Sequence, residues 1–313
     1  MSSLLVESPG LLTSVQDLGR PEFGPQGVSP SGAADAVALR LGNLLVDNEP
    51  GAAGLELTLV GGSFVFPEGA VVALTGADLG AAVSGRQLEM WTSHALLPGA
   101  KLVFGATKNF ARGYLAIAGG VEVEPFLGSA STHLLSGLGG FKGRALWKGD
   151  VLRIGKPAKP IRRKKISLAA LYALKPRKIL RATEGPQADW FTEEAKQVFY
   201  RDVFRVTEES DRVGLRLEGP ALAGSASREM ITEGVSLGAV QVTPSGQPII
   251  LFVEQQTTGG YPKIANVIGA DLHRIGQLRP RAEIRFEQTS LAVARSLWIA
   301  QERLLNSTEQ LFG

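Results

Sequence analysis

The sequence contains no cysteine, and this absence narrows the chemistry that the chain can perform. No disulfide, thiolate nucleophile or sulfur-ligated zinc site is possible, which suits a protein of the reducing cytoplasm. Histidine is scarce as well, and His94, His133 and His273 do not have the spacing of metal ligands. We therefore expect neither a metal site nor a Ser-His-Asp site built on histidine.

Long apolar runs and several nucleotide and hydrolase motifs are also missing. No apolar stretch approaches the ~20 residues of a membrane helix, and the first residues lack the pattern of a signal peptide. There is no Walker A and no GxSxG sequence. The glycine-rich stretch Gly137–Gly143 is not a GxGxxG motif, because Lys142 stands where the third glycine is required. No nucleophile or base is recognisable from such motifs.

Glycine is abundant, with 38 residues in a chain of 313, and most apolar segments are short and alternate with polar residues. These features predict a mainly β protein with a few helices, of the barrel or sandwich type. The strand candidates are Leu55–Val60, Ser63–Phe66, Ala70–Thr75, Lys101–Phe104, Gly113–Ala118, Arg177–Arg181, Asp202–Val206, Gly214–Leu217, Ala239–Val242, Pro248–Val253 and Glu283–Phe286.

Helical spacing of apolar residues predicts four helices. The first follows Ser31-Gly32, the second covers Phe191–Phe199, the third follows Pro262 with Ile264 and Val267 on one face, and the last covers Ser290–Phe312.

A basic segment divides the chain. The net charge is +3, yet the ten basic residues between Lys156 and Arg181 are accompanied by no acidic residue. Only Tyr172 is available there for stacking on bases, so a solvated linker is favoured over a nucleic-acid site. With Pro157, Pro160 and Pro176, the segment predicts a domain at 1–155, a linker at 156–178 and a second domain at 179–313.

Polar clusters in glycine-rich turns are the remaining candidates for a site. In the first half, Arg20 can bind a carboxylate or pair with Asp17 to brace a turn. Ser31 can bind an anion or cap a helix, with Asp35 near that helix N-terminus. Asp78 can act as a base or hold a turn, and Ser129 lies in a turn that can bind an anion.

The second half carries two denser clusters. Ser210, Asp211 and Arg212 precede a strand, where a local Asp–Arg pair competes with a functional interpretation. The stretch from Gln255 to Lys263 is the sharpest feature, because it gathers hydroxyl, phenol, ammonium and glycine N–H groups before a predicted helix N-terminus. Its candidate site residues are Gln256, Thr257, Thr258, Gly259, Gly260, Tyr261 and Lys263. We expect these bends to line one pocket that a second polypeptide completes.

The order of these blocks resembles a known family, that of the 5-oxoprolinase C-type subunit, also called KipA or allophanate hydrolase subunit 2. It is similar as well to part of the carboxyltransferase region of urea carboxylase. The resemblance covers nearly the whole chain. It is carried by Val15-Gln-Asp-Leu-Gly-Arg20, Gly32-Ala-Ala-Asp35, Leu55-Glu-Leu-Thr58, Leu74-Thr-Gly-Ala77, Gly128-Ser129, Ser210-Asp-Arg212, Gly246-Gln-Pro-Ile249 and Gln256–Ile264.

The resemblance implies tandem cyclophilin-like β-barrel domains and a place in an ATP-dependent 5-oxoprolinase, which opens 5-oxo-L-proline to L-glutamate. It implies a KipI-like partner protein, a further LamB/YcsF-like partner, and ATP with Mg in the assembled complex. Asp78, Arg212 and Lys263 are then the expected catalytic residues, and the other cluster residues bind substrate or phosphate. A chain without its partners is expected to be inactive.

Two other functions stay open. One is a carboxyltransferase-type role in a urea carboxylase or allophanate hydrolase-like enzyme, although this chain has no biotin attachment site. The other is a non-catalytic, KipA-like antagonist of a kinase inhibitor. The chain also departs from the family pattern, since Ala130 replaces a usual arginine and Glu254 replaces a usual aspartate.

Overall fold

The computed structural model describes residues 2–157, 162–224 and 230–312. It contains two compact units. The first comprises Met1–Arg20, Ser31–Lys175 and Leu304–Gly313, and the second comprises Pro21–Pro30 and Pro176–Arg303. The three-part division made from the sequence stays a prediction. Lys159 and Pro160 of the predicted linker lie outside the described residues.

The first unit is built from two sheets. Its strands are β1 (Ser3–Ser8), β2 (Leu12–Gln16), β3 (Gly54–Thr58), β4 (Ser63–Phe66), β5 (Ala70–Gly76), β6 (Ala82–Val83), β7 (Arg86–Gln87), β8 (Ser93–Leu96), β9 (Ala100–Val103), β10 (Arg112–Ile117), β11 (Val121–Glu122) and β12 (Val151–Ile154). One sheet has the order β11-β12-β1-β4-β9-β6-β7 and the other β2-β3-β10-β5-β8.

One apolar core is shared by both sheets of this unit. Leu4 and Phe64 come from the seven-stranded sheet, and Leu55 and Leu115 from the five-stranded one, all without exposed surface. The alternating strand sequences explain this arrangement, because every second residue of a strand points to the same face.

Three helices belong to the first unit: α1 (Ala36–Leu45), α2 (Leu168–Leu174) and α6 (Thr308–Phe312). The sequence predicted α1, but Asp35 rather than Ser31 is its N-cap. It did not predict α2, which lies inside the basic segment and begins at an N-cap made by Ser167. Ile166 and Leu174 are buried in one cluster with Leu311 of α6, so apolar packing fixes this part of the segment.

The second unit contains a closed barrel. Its strands are β13 (Ile179–Glu184), β14 (Phe204–Val206), β15 (Gly214–Glu218), β16 (Glu233–Gly234), β17 (Ala239–Val242), β18 (Pro248–Leu251), β19 (Thr258–Gly259), β20 (Lys263–Val267) and β21 (Glu283–Gln288). The barrel order is β13-β20-β17-β18-β15-β14-β21, and the parallel pair β13–β21 closes it. Strands β16 and β19 form a separate two-stranded ribbon. The predicted mainly β fold is thereby confirmed.

The helices of the second unit are α3 (Glu193–Arg201) and α4 (Leu272–Ile275), and α5 (Leu291–Leu305) runs towards the C-terminus. Phe199 of α3 stacks on Phe286 of β21 with 4.2 Å between the ring centroids, which anchors the helix on the barrel. The single C-terminal helix predicted over Ser290–Phe312 is two helices, because Asn306 and Ser307 separate α5 from α6.

The helix predicted after Pro262 is wrong. Residues 263–267 form strand β20, which pairs with β13 on one side and β17 on the other. Ile264 and Val267 also satisfy a helical spacing, but in the barrel both are buried and both are β-branched residues that favour a strand. The argument that a helix N-terminus attracts anions at this place therefore fails.

None of the described helices has the length and apolar character needed to cross a membrane.

Candidate functional site

In the first unit, Asp17 organises the turn that contains Ser129. Its Oδ1 accepts hydrogen bonds from the Ser129 hydroxyl at 2.7 Å and the Ser131 hydroxyl at 2.5 Å. Its Oδ2 accepts from the Ala130 N–H at 2.7 Å. The Asp17 carboxylate thus accepts hydrogen bonds from all three of these donors. Ser129 is buried, and its hydroxyl points at Asp17 rather than at solvent.

Arg20 and Ser31 lie against the same turn. The Arg20 guanidinium donates to the Phe126 carbonyl at 3.2 Å and to the Ser131 carbonyl at 2.5 Å. The Ser31 hydroxyl donates to the Thr132 carbonyl at 2.8 Å. The structure thus brings together Arg20, Ser31 and Ser129, which the sequence predicted separately. Ser31 holds this turn and does not cap α1, which corrects the helix-cap interpretation.

A hollow of about 510 Å³ opens in the first unit beside this turn. Phe126 lines it, and the Arg20 guanidinium lies 5.4 Å from the centre of that ring. Its other lining residues include Glu122, Glu124, Gly139, Gly140 and Lys142.

Asp35 belongs to a buried network at the start of α1. Its side chain accepts from the Ala38 N–H at 2.8 Å, and its own N–H donates to the Tyr114 hydroxyl at 2.7 Å. That hydroxyl donates to Glu56 at 2.7 Å. Burial, reinforced by the charges of Glu56 and Asp35, raises the pKa of Tyr114 well above its usual value, so the phenol stays protonated. Asp35 therefore has a structural use as a cap.

Asp78 holds a half-exposed turn. It accepts from the Gly80 N–H at 2.8 Å and contacts the Lys108 ammonium at 3.0 Å. Partial burial raises its pKa, but the Gly80 and Lys108 contacts outweigh this effect and leave the pKa below its usual value. A carboxylate with a lowered pKa is a weaker base, so this geometry favours the turn interpretation of Asp78. Its contacts in the described chain include none of the other predicted site residues.

In the second unit, Ser210 and Asp211 shape the turn before β15. The Ser210 hydroxyl accepts from the Arg216 N–H at 3.0 Å, and Asp211 accepts from the Val213 N–H at 2.8 Å. The neighbouring Arg212 forms a buried ion pair with Glu254, 42 residues further along the chain. Glu254 is thus a distant carboxylate partner of Arg212, and the local Asp–Arg pair considered from the sequence stays a prediction.

The stretch Gln255–Lys263 folds over one end of β17 and β20. Gln256 donates to the Gln241 side-chain oxygen at 3.3 Å, and the Tyr261 carbonyl accepts from the Gln241 amide at 3.5 Å. The backbone carbonyl of Thr257 accepts a hydrogen bond from the Val235 N–H at 3.0 Å. Gly259 approaches Gln241 so closely that a Cβ there would lie 2.6 Å from the amide nitrogen. A side chain at position 259 would therefore require the Gln241 amide to shift.

Lys263 is the charged centre of this stretch. It is 2% exposed, and its ammonium lies 2.6 Å from Oε1 of Glu233. Gln187 donates to the same oxygen at 2.9 Å. The Lys263 ammonium, with a smaller contribution from Gln187, lowers the pKa of Glu233, so this carboxyl is ionised at neutral pH.

Side chains from distant parts of the chain that the sequence did not mark also contact this stretch, and they are Gln187, Glu233 and Gln241. No local motif marks Gln187 or Glu233. Gln255 and Glu254 stand next to the predicted stretch, and their burial at 4% and 3% is the property that a sequence cannot display.

Comparisons with known proteins agree with this architecture. Residues 26–288 match the model of the family described as carboxyltransferase domain, subdomain A and B. The chain is 38% identical to the C-type subunit of 5-oxoprolinase from Escherichia coli (strain K12) over 296 residues, which cover 94% of each protein. It is 31% identical to urea amidolyase of Saccharomyces cerevisiae, spanning 98% of this chain but 18% of that protein.

A solved structure extends the likeness to three dimensions. The crystal structure of the K. lactis urea amidolyase superimposes with a TM-score of 0.90 and 29% identity, over 99% of this chain and 21% of that one. The family model covers most of the chain, and the E. coli relative matches it almost from end to end. The chain therefore belongs to the carboxyltransferase-domain family, in the group of 5-oxoprolinase C-type subunits that is related to the urea amidolyases.

Proposed function

We propose that this chain is the C-type subunit of an ATP-dependent 5-oxoprolinase, which opens 5-oxo-L-proline to L-glutamate in the cytoplasm. The observation that carries the proposal is the 38% identity over 94% of both chains, because the relative is a separate protein of the same size rather than one part of a longer enzyme. The name of that relative implies further subunits, and we assign these roles to a KipI-like partner and a LamB/YcsF-like partner.

The chemistry of the reaction matches the groups in the second unit. A lactam carbonyl is a poor electrophile, and transfer of a phosphoryl group from ATP to its oxygen releases ADP and activates the carbonyl carbon. Water then adds to that carbon, the ring C–N bond breaks as the nitrogen takes up a proton, and the phosphoryl group leaves as inorganic phosphate. Both substrates are anions, and oriented cations and N–H groups stabilise the charge that develops. Lys263, buried with amide side chains around it, has the character of an anion-binding cation.

Arg212 supports the same site indirectly. Its guanidinium is committed to Glu254, which immediately precedes Gln255. We propose that this pair positions the stretch Gln255–Lys263 and that Arg212 does not itself act on the substrate. Arg20, Ser31 and Ser129 are proposed to bind substrate or phosphate through the turn that they form. ATP, with Mg, is proposed to bind in the assembled complex.

Reconstitution tests this function. The purified chain is expected to release negligible ADP from ATP in the presence of 5-oxo-L-proline. Addition of the KipI-like and LamB/YcsF-like proteins from the same genome is expected to produce ADP and L-glutamate together. Turnover by the lone chain would refute the requirement for partners. A complex that forms but hydrolyses ATP without regard to 5-oxo-L-proline would refute the substrate.

A carboxyltransferase-type role in a urea enzyme is the second candidate. It is favoured by the superposition on urea amidolyase over 99% of the chain with a TM-score of 0.90. The same reconstituted mixture discriminates the two functions when urea and a biotinylated carrier protein replace 5-oxo-L-proline, since carboxylation then depends on biotin. A chain that binds the KipI-like protein but supports neither reaction would match the antagonist function instead.

A further inference from the structure

The ion pair between Lys263 and Glu233 is unequal in exposure. The Lys263 side chain is 3% exposed, whereas the Glu233 side chain is 45% exposed. A buried ammonium requires a negative partner, since an unpaired charge away from water is very unfavourable. A half-exposed carboxylate has no such requirement, because water can solvate it. The cation therefore depends on this contact far more than the anion does.

Lys263 and Glu233 also differ in how strongly the backbone around each of them is held in place. Lys263 lies in barrel strand β20, and its backbone N–H donates to the Gln187 side chain at 3.2 Å. Glu233 lies in the two-residue strand β16, which among the described strands pairs with the equally short β19 alone and is not part of the barrel. Because β16 is not a barrel strand, Glu233 can leave Lys263 without breaking a backbone hydrogen bond of the barrel.

Two donors converge on a single oxygen of Glu233. The Lys263 ammonium lies 2.6 Å from Oε1, and the Gln187 amide nitrogen lies 2.9 Å from the same atom. A carboxylate oxygen can interact with a cation and a neutral N–H donor at the same time. The Lys263 ammonium meets Glu233 as an ion pair, and within the described part of the chain it has no partner with the geometry of a hydrogen bond. The position of Glu233 Oε1 is therefore a binding position for a carboxylate.

The side chain of Gln255, next to the ribbon of β16 and β19, is a second buried group whose hydrogen bonds are incomplete among the described residues. Gln255 is 4% exposed and donates to the Val235 carbonyl at 3.3 Å, two residues after Glu233. Its side-chain oxygen has no hydrogen-bond partner among the described residues. An acceptor left without a donor in a buried position is unfavourable, and a ligand N–H satisfies it.

We propose that Lys263 and Gln187 form a binding site for the carboxylate of a small ligand, which Glu233 occupies in the free chain and the ligand takes over on binding. Resting on the proposed function, the ligand is a lactam carboxylate such as 5-oxo-L-proline, whose ring N–H meets the Gln255 oxygen. Glu233 acts as an internal competitor. Its replacement by a neutral residue removes the competition and raises the affinity for the ligand.

Calorimetric titration of the full chain tests this site with a matched pair of ligands. Against 5-oxo-L-proline, Glu233→Gln is expected to lower the Kd about tenfold relative to wild type, which corresponds to roughly 1.4 kcal/mol. Against the neutral 5-oxo-L-prolinamide, the same substitution is expected to leave the Kd unchanged. Lys263→Met is expected to abolish the preference for the carboxylate over the amide, and its thermal melting is compared with wild type to verify folding.

Glu283→Gln is the matched control, since it removes a half-exposed carboxylate that faces Arg205 at 3.7 Å on the same barrel. It is expected to leave both Kd values unchanged. Unchanged or weaker binding of 5-oxo-L-proline by Glu233→Gln overturns the proposal, whatever the behaviour of Lys263→Met.

Glutarate separates this inference from the proposed function, because it carries carboxylates and no lactam. If glutarate binding strengthens in Glu233→Gln while 5-oxo-L-proline binds to neither protein, the carboxylate site stands but 5-oxo-L-proline is not its ligand, and the reconstitution experiment decides the function. If neither ligand responds to the substitution, the site itself is refuted, and the reconstitution experiment still decides the function.

Discussion

At the scale of single residues, the buried pair of Arg212 and Glu254 offers a direct test of what holds the Gln255–Lys263 stretch. Their side chains are 6% and 2% exposed. Removing one charge of a buried ion pair is destabilising, so Arg212→Met or Glu254→Gln is expected to lower the free energy of unfolding by about 3–5 kcal/mol. Urea denaturation measures the loss.

The double variant Arg212→Met/Glu254→Leu is expected to recover most of that stability, because both charges of the pair are removed together. The exposed pair of Arg205 and Glu283 is the comparison, where Arg205→Ala is expected to change stability by less than about 0.5 kcal/mol. Additive losses in the double Arg212/Glu254 variant would contradict the pairing.

Residue-scale prediction from the sequence succeeds where a polar group lies in a local cluster. Arg20, Ser31 and Ser129 were candidates on that ground, and the structure joins them around one turn. Gln187 and Glu233 could not be found in this way, because they lie 76 and 30 residues from Lys263 and their local sequences carry no signal. The pairing of β13 with β20 and of β16 with β19 brings them to the ammonium.

At the scale of elements, the glycine-rich loop 137–143 is held against the turn of Ser131 and Thr132. Gly140 has a φ of +55°, and a Cβ at this position would lie 1.9 Å from the Thr132 hydroxyl oxygen. Gly137 has a similar φ of +65°, but the nearest atom to its added Cβ would be 3.7 Å away. The two glycines therefore share a left-handed backbone and differ in available space.

Alanine substitution at these two positions separates backbone strain from steric clash. Gly137→Ala is expected to cost about 1 kcal/mol, the penalty of a left-handed conformation for an L-residue. Gly140→Ala is expected to cost about 1–3 kcal/mol more, because Thr132 must move and its 2.9 Å hydrogen bond to the Val15 carbonyl is disturbed. Equal losses in urea denaturation would show that the loop relaxes away from the turn.

Element boundaries were predicted best where a strand alternates between apolar and polar residues. Ser63–Phe66 and Ala239–Val242 match β4 and β17 residue for residue. The prediction failed at 263–267, where Lys-Ile-Ala-Asn-Val fits both periods, and the pairing with β13 and β17 decides for a strand. Helix α2 is not predicted from its local sequence, because this seven-residue helix is stabilised by packing of Ala170 and Leu174 against Leu311 rather than by local preference.

At the scale of the whole molecule, the mainly β class follows from the sequence, but the closure of the barrel does not. Closure depends on the parallel pairing of β13 with β21, which joins Ile179 to Arg285 across more than a hundred residues. A single sequence contains no information on such distant pairs. The assignment of Pro21–Pro30 to the second unit is similarly non-local, since the Ser29 hydroxyl donates to the Gln255 carbonyl at 2.5 Å.

The function proposed for this chain can be tested by putting it in place of its E. coli relative. Because 38% identity extends over 94% of both proteins, we expect this chain to restore 5-oxo-L-proline-dependent growth to an E. coli strain that lacks its own C-type subunit. The growth rate is expected to be lower than with the native protein, because the two chains differ at most positions and the contacts with the partner proteins are not matched.

The control is the Lys263→Ala variant, whose loss of the buried ammonium is expected to abolish growth while the protein still accumulates. Glu283→Gln, on the outside of the barrel, is expected to grow like the wild-type chain. A further outcome is that the wild-type chain binds the E. coli partners in a pull-down experiment while growth is still absent. In that case the two proteins share their assembly but not their reaction, and this result would favour the carboxyltransferase-type function.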